Sequence, residues 1–166
     1  SDIGVGNEFR RIGLVRDPTN FGTSTVASAT TRRQLYAIKF ASVSGTFTAD
    51  EEINQASTGA VGKVVEFDST NLILYYYQTR FPDVGTDSNG NLTAFSGANA
   101  ITGQSSSASA TPDTSNSNTV NGVEFSSGYA NPELAYDSGD IIYVEERSPI
   151  TRASDQTENV KLIIEF

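Results

Sequence analysis

Gly62-Lys63-Val64-Val65-Glu66-Phe67-Asp68-Ser69-Thr70-Asn71-Leu72-Ile73-Leu74-Tyr75-Tyr76-Tyr77 is the stretch that decides the fold class. Its two flanks are rich in β-branched and aromatic residues, which fit a pleated surface. The Asp-Ser-Thr-Asn between them has side chains that bond locally to a turn backbone. The expectation is a β-hairpin with strands at 62–67 and 72–77. Neighbouring residues on a strand face opposite sides, so Tyr75, Tyr76 and Tyr77 cannot all point one way. Core and cross-strand packing is the preferred reading of these rings over a ligand platform.

Outward from the hairpin, the same chemistry recurs. Residues 8–16 read as a strand closed by Asp17-Pro18, since proline stops a central strand. Further strands are expected at 34–40, 119–125, 140–146 and 159–166, with a turn or one short helical turn at Ser154–Glu158. A Gly/Ser/Thr/Ala stretch at 22–31 separates the first two strands. Residues 104–118 are mostly Ser, Ala, Thr and Asn with no large apolar side chain, which predicts a mobile loop. With only 37% hydrophobic residues and many turn formers, the chain is expected to be all-β: an antiparallel sheet or sandwich with a small barrel-like module and very little helix.

A weak internal echo runs around the hairpin. Phe47 and Ile53 recur as Phe95 and Ile101, and Ala49/Gly97, Ser57/Ser105 and Ala60/Ala108 keep the same offset. It reads either as two related β-units packed in one small barrel or sandwich, or as coincidence in Ser/Gly/Ala-rich sequence.

The chain has no cysteine and no histidine. Disulfides, thiolate metal sites, Cys–His chemistry and Ser–His–Asp chemistry are therefore excluded within it. The net charge of −9 is uneven: residues 1–40 carry six basic and three acidic side chains, 41–131 two and nine, and 132–166 three and eight. An acidic body disfavours nucleic acid and anionic membranes as partners. Arg10–Arg11 and Arg32–Arg33 are candidates to meet acidic protein surfaces, the chain's own acidic C-terminal part included, although solvated arginines are the blander reading. No apolar run approaches the roughly 20 residues that span a bilayer, and no signal pattern opens the chain. Methionine is absent and the sequence starts at Ser1-Asp2-Ile3-Gly4, as expected of a piece of a longer protein.

The remaining motifs give little support for chemistry. Asp83–Asn91 has oxygen ligands around a turn glycine but lacks the distal glutamate of a calcium loop; Asn89-Gly90 reads instead as a tight turn needing positive φ. Gly4-Val5-Gly6 has neither a third glycine nor a following helix pattern. The acids of Asp50/Glu51/Glu52 and Glu145/Glu146 are adjacent on strands, face opposite sides, and are poorly placed to converge as a glycosidase pair. No catalytic, cofactor-binding or metal residue is assigned, and the chain is not read as an enzyme.

Two segments carry a resemblance. Asn7-Glu8-Phe9-Arg10-Arg11-Ile12-Gly13-Leu14-Val15-Arg16-Asp17-Pro18 is similar to a strand-then-proline segment of T4-type phage baseplate wedge proteins, the product of gene eight. Ser138-Gly139-Asp140-Ile141-Ile142-Tyr143-Val144-Glu145-Glu146-Arg147-Ser148-Pro149-Ile150, then Asp155-Gln156-Thr157-Glu158 and Val160–Phe166, resembles that family's C-terminal end. The resemblance implies a β-structured, dimeric, non-catalytic protein that ties wedge subunits together in the virion and is assembled in the host cytoplasm. Residues 1–37 and 131–166 would form the wedge-like sheet, strands 8–16, 34–40, 140–146 and 159–166 pairing antiparallel. Residues 38–130 would be an inserted β-module. The expected partners are other wedge proteins and a second copy, with no nucleic acid and no membrane. The alternative is a receptor- or carbohydrate-binding tail module, motivated by the tyrosine cluster; a hydrolase using Asp and Glu is a distant third.

Overall fold

The computed structural model describes residues 10–28, 30, 33–79, 84–135 and 138–147. The expected strand at 159–166, the turn at 154–158, Asn7–Phe9 and Asp83 lie outside them. Among the described residues every regular element is a strand and none is a helix. In chain order these are β1 (Arg10–Arg16), β2 (Tyr36–Ser44), β3 (Glu52–Gln55), β4 (Ala60–Asp68), β5 (Ile73–Tyr77), β6 (Ile101–Gly103), β7 (Ser109–Pro112), β8 (Thr119–Val120), β9 (Val123–Glu124), β10 (Tyr129–Ala130) and β11 (Asp140–Arg147).

The chain divides into two compact units, Ser1–Asp17 with Gly139–Phe166, and Pro18–Ser138. These boundaries differ from the 37/38 and 130/131 junctions read from the sequence. The reason is a set of backbone bonds inside the larger unit: Phe21 N donates to Glu133 O (2.8 Å), Ala135 N to Thr19 O (2.9 Å) and Glu133 N to Arg33 O (2.7 Å). In the smaller unit, β1 and β11 pair antiparallel with a bulge between Leu14 and Val15. β2, expected beside them, is a strand of the other unit.

That unit is built on a seven-stranded sheet, order β10-β2-β5-β4-β3-β6-β7, in which β7 also pairs with β2. Six strands therefore close a ring. One strand serves both ends of the sheet: Tyr36–Lys39 pairs with β5, and after a bulge between Phe40 and Ser42 the rest of β2 pairs with β7. Closure leaves the six strands no open edge for unwanted pairing.

Period-two alternation fills the ring. Ile38 and Phe40 of β2, Val64 of β4, Leu74 and Tyr76 of β5, and Ile101 of β6 all belong to one buried cluster. Phe47 and Phe95 join it from loops. Phe40 stacks on Phe47 (centroids 5.7 Å), and Tyr76 meets Phe95 edge-on at 5.0 Å. The opposite side of β2 and β5 is also covered: Ala37 and Ile73 pack with Val123, Phe125 and Ala130, with Tyr75 at the margin. The Tyr75–Tyr77 alternation follows, for Tyr76 is 3% exposed and Tyr77 37%.

The internal echo has a structural counterpart. Exchanging β2 with β5, β3 with β6 and β4 with β7 maps the ring's neighbour relations onto themselves. Phe47/Phe95, Ile53/Ile101 and Ala60/Ala108, each pair 48 residues apart, all sit in the same core. The echoed positions thus meet in one core, and the strand order is unchanged by that exchange.

Turn chemistry sets the hairpins. Asp68 Oδ1 accepts from the amides of Thr70 and Asn71 (both 3.0 Å), as expected for the 62–77 hairpin. The expected strand at 119–125 is instead two short strands, because Asn121 (φ 49°) and Gly122 (φ 76°) adopt the left-handed conformations of a two-residue turn. Within 104–118, expected to be loop, Ser109–Pro112 forms β7. Ala108 and Ala110 are buried there: the barrel wall takes small side chains at this point, so no large apolar residue marks the strand.

Candidate protein-protein interface

The acidic residues singled out from the sequence have separate tasks. Glu51 is buried and binds the β6–β7 turn. Its Oε2 accepts from the amides of Ser105 (3.1 Å) and Ser106 (2.9 Å), while Oε1 accepts from the Thr48 amide (2.7 Å) and the Ser106 hydroxyl (2.8 Å). Burial is the largest single influence on this carboxyl and pushes its pKa up. The Ser106 and Thr48 amides, the Ser106 hydroxyl and the Ser105 amide together outweigh burial and leave the pKa below the ordinary glutamate value. Gly103 makes room for the carboxylate, since a Cβ there would lie 2.6 Å from Glu51 Oε2. Asp50 and Glu52, its neighbours, are exposed.

Asp87, in the stretch weighed as a calcium loop, commits its carboxylate to the loop itself. Oδ1 accepts from the amides of Asn89 (2.8 Å) and Asn91 (2.9 Å), and these bonds hold its pKa below the ordinary aspartate value. Gly90 has φ 76°, whereas Asn89 is not in the left-handed region. No group of three or more His, Cys, Asp or Glu is gathered among the described residues. Of the arginine pairs, Arg33 donates to the carbonyls of Leu35 and Asn131, tying β2 to the 131–134 segment. Tyr77 lines a shallow cleft with Glu52, Lys63, Thr79 and Val84.

The ribbon of β1 and β11 differs from all of these. Leu14, Val15, Ile141, Ile142, Tyr143 and Val144 are 47–71% exposed, and they make up six of the ten large hydrophobic residues exposed among the described residues. The register places Leu14 opposite Tyr143 and Val15 opposite Ile141, and successive pairs point to opposite sides. Both faces of the ribbon are therefore apolar. Arg16 Nη2 closes one end on Asp140 Oδ2 at 2.9 Å. A continuous apolar run such as Ile141–Val144 belongs to strands covered on both sides, and an isolated two-stranded ribbon is marginal in water. Among the described residues, this concentration of exposed apolar surface makes the ribbon the candidate interaction site. The sequence held the signal in that run, but not its exposure among the described residues.

Residues 86–166 match the family model of bacteriophage T4 Gp8. The Ser138–Phe166 run behind the sequence resemblance lies wholly inside the Gp8 match, and residues 7–18 lie outside it. The match takes in β6 to β10 of the barrel unit as well as β11. The match covers 81 of the chain's 166 residues. No curated protein and no solved structure matches the chain.

Proposed function

We propose that the chain is part of a baseplate wedge protein that joins neighbouring wedge subunits through its β1–β11 ribbon, without catalysis. The observation that carries this reading is the ribbon itself, apolar on both faces and ending inside the Gp8-like region. Its partners are other wedge proteins and a second copy of the same chain, met as subunits assemble in the host cytoplasm. Nucleic acid and membrane have no part in the reading, in keeping with the net charge of −9. In sequence the barrel strands lie between the two ribbon strands. A phage carrying Ile141→Asp and Val144→Asp is expected to yield tails without intact baseplates while the protein stays folded. Normal infectious particles from that phage, or virions lacking the protein altogether, would overturn the proposal.

A second reading, a carbohydrate- or receptor-binding module, is favoured by one observation: Tyr77 is exposed in the cleft with Glu52 and Lys63, and an aromatic face beside polar groups can stack on a sugar. Glycan-array binding that disappears with Tyr77→Ala would support it, and an array without binding would dismiss it.

A further inference from the structure

We infer that the row Glu52, Lys63 and Tyr77 on the outside of the barrel binds an uncharged oligosaccharide, lying across β3, β4 and β5. The inference rests on the second reading proposed above and gives it a site and a ligand class. Lys63 pairs with Tyr77 on one side and with Glu52 on the other, so the three side chains stand at one register level on one face of the sheet. All three are exposed. Although Glu52 and Lys63 are cross-strand partners, neither makes an ion pair or a side-chain hydrogen bond among the described residues. A carboxylate that accepts and an ammonium that donates are thus left available beside an aromatic ring.

Residues 84–93 turn this row into a cleft. Gly85 lies hard against β4: its φ is +73°, and a Cβ there would fall 2.8 Å from Val61 Cβ and 2.9 Å from Val61 N, so glycine is what admits the approach. Gln78 Nε2 donates to both Val61 O (2.9 Å) and Thr93 O (2.8 Å), and Thr93 N donates to Gly85 O (2.8 Å). The wall is therefore set before a ligand arrives, which lowers the ordering cost of binding. Val61, Thr79 and Val84 complete the lining.

The mixture of groups selects the ligand class. A sugar ring offers C–H groups to an aromatic face, and hydroxyls that donate to a carboxylate and accept from an ammonium. An anionic ligand would instead meet Glu52 beside Lys63, on a chain of net charge −9. A metal ion would meet Lys63 beside Glu52. Neighbouring strands lie about 4.8 Å apart, which sets the Glu52 and Tyr77 backbones roughly 10 Å from each other. A ligand stacked on Tyr77 and bonded to Glu52 therefore extends over more than one sugar unit.

An array of neutral and anionic mono- and oligosaccharides, probed with the whole chain, tests this beside Tyr77→Ala, Tyr77→Phe, Lys63→Ala and Glu52→Ala. Neutral oligosaccharides are expected to bind, and monosaccharides and anionic glycans are not. Tyr77→Ala is expected to weaken binding by more than about tenfold, and Tyr77→Phe to keep it, since the ring face remains. Lys63→Ala and Glu52→Ala are each expected to weaken it severalfold while the fold, read by circular dichroism, stays that of the wild type. Anionic glycans bound more tightly than neutral ones, or monosaccharides bound as well as oligosaccharides, would overturn the ligand class. Binding unmoved by Lys63→Ala and Glu52→Ala would overturn the row; if it still disappeared with Tyr77→Ala, the second reading would stand. An array without any binding would dismiss both.

Discussion

Replacing Glu51 with alanine should damage the barrel more than any other single carboxylate change. The substitution removes the acceptor for three backbone amides and one hydroxyl, at 2.7–3.1 Å. Bonds to a charged acceptor contribute about 1.5–3 kcal/mol each when buried, less when water can replace the partner. Ser105 and Thr48 are on the exposed side, so the expected loss is about 3 kcal/mol rather than the full sum. For a body of this size that corresponds to a fall in melting temperature on the order of 10 °C. Glu51→Gln keeps the shape and one carbonyl acceptor, and should lose about half as much. The pH dependence has a definite sign. The carboxyl's folded pKa is lowered, so its contribution is present above the unfolded value, roughly 4.3, and is lost as pH falls through the folded pKa. Calorimetry at about pH 7 and about pH 3 should show the gap between wild type and Glu51→Gln closing at the lower pH. A Glu51→Ala shift under about 3 °C, or a gap that does not change with pH, would refute the role assigned to this carboxylate.

Three further outcomes separate core, backbone and surface. Tyr76→Ala should cost about 3–5 kcal/mol by leaving a cavity against Phe95, while Tyr77→Ala should stay within about 1 kcal/mol; chemical denaturation distinguishes them. Gly128→Ala should destabilise by more than about 2 kcal/mol, since φ is +80° and a Cβ would lie 2.5 Å from Asp113 O, whereas Gly90→Ala, with open space around it, should cost only about 1 kcal/mol. Ile141→Asp should reduce binding of an apolar fluorescent dye without moving the melting temperature, because the side chain is 71% exposed.

The hairpin of β4 and β5 was legible because its signals are local: two β-favouring runs and an Asp-Ser-Thr-Asn turn whose first side chain bonds the next residues. β11 was legible for the same reason. β7 was not, because Ala108 and Ala110 gain their burial from a wall assembled by distant strands, and nothing in Ser109–Pro112 itself announces that. The burial of Glu51 was illegible too. In sequence it belongs to an ordinary acidic cluster, and only the amides of residues 105 and 106, brought across the barrel, make it a buried acceptor. The double use of β2, pairing with β5 and then β7, depends on a bulge after Phe40 that carries no composition mark. Phe47/Phe95 and Ile53/Ile101 did mark the shared core, but faintly, because they are a few apolar residues set among Ser-, Gly- and Ala-rich sequence.

The strand order of the ring has a kinetic consequence. Of the six pairings around the ring, only β3–β4 and β6–β7 lie within one half, β2–β4 or β5–β7; the other four join the halves. Neither half can complete its hydrogen bonding while the other is still unfolded, or before the ribosome has delivered it. The barrel should therefore form in a single late step, at the slow end of the range for its size, and a nascent chain stalled before β6 would present open strands to every other copy being made beside it.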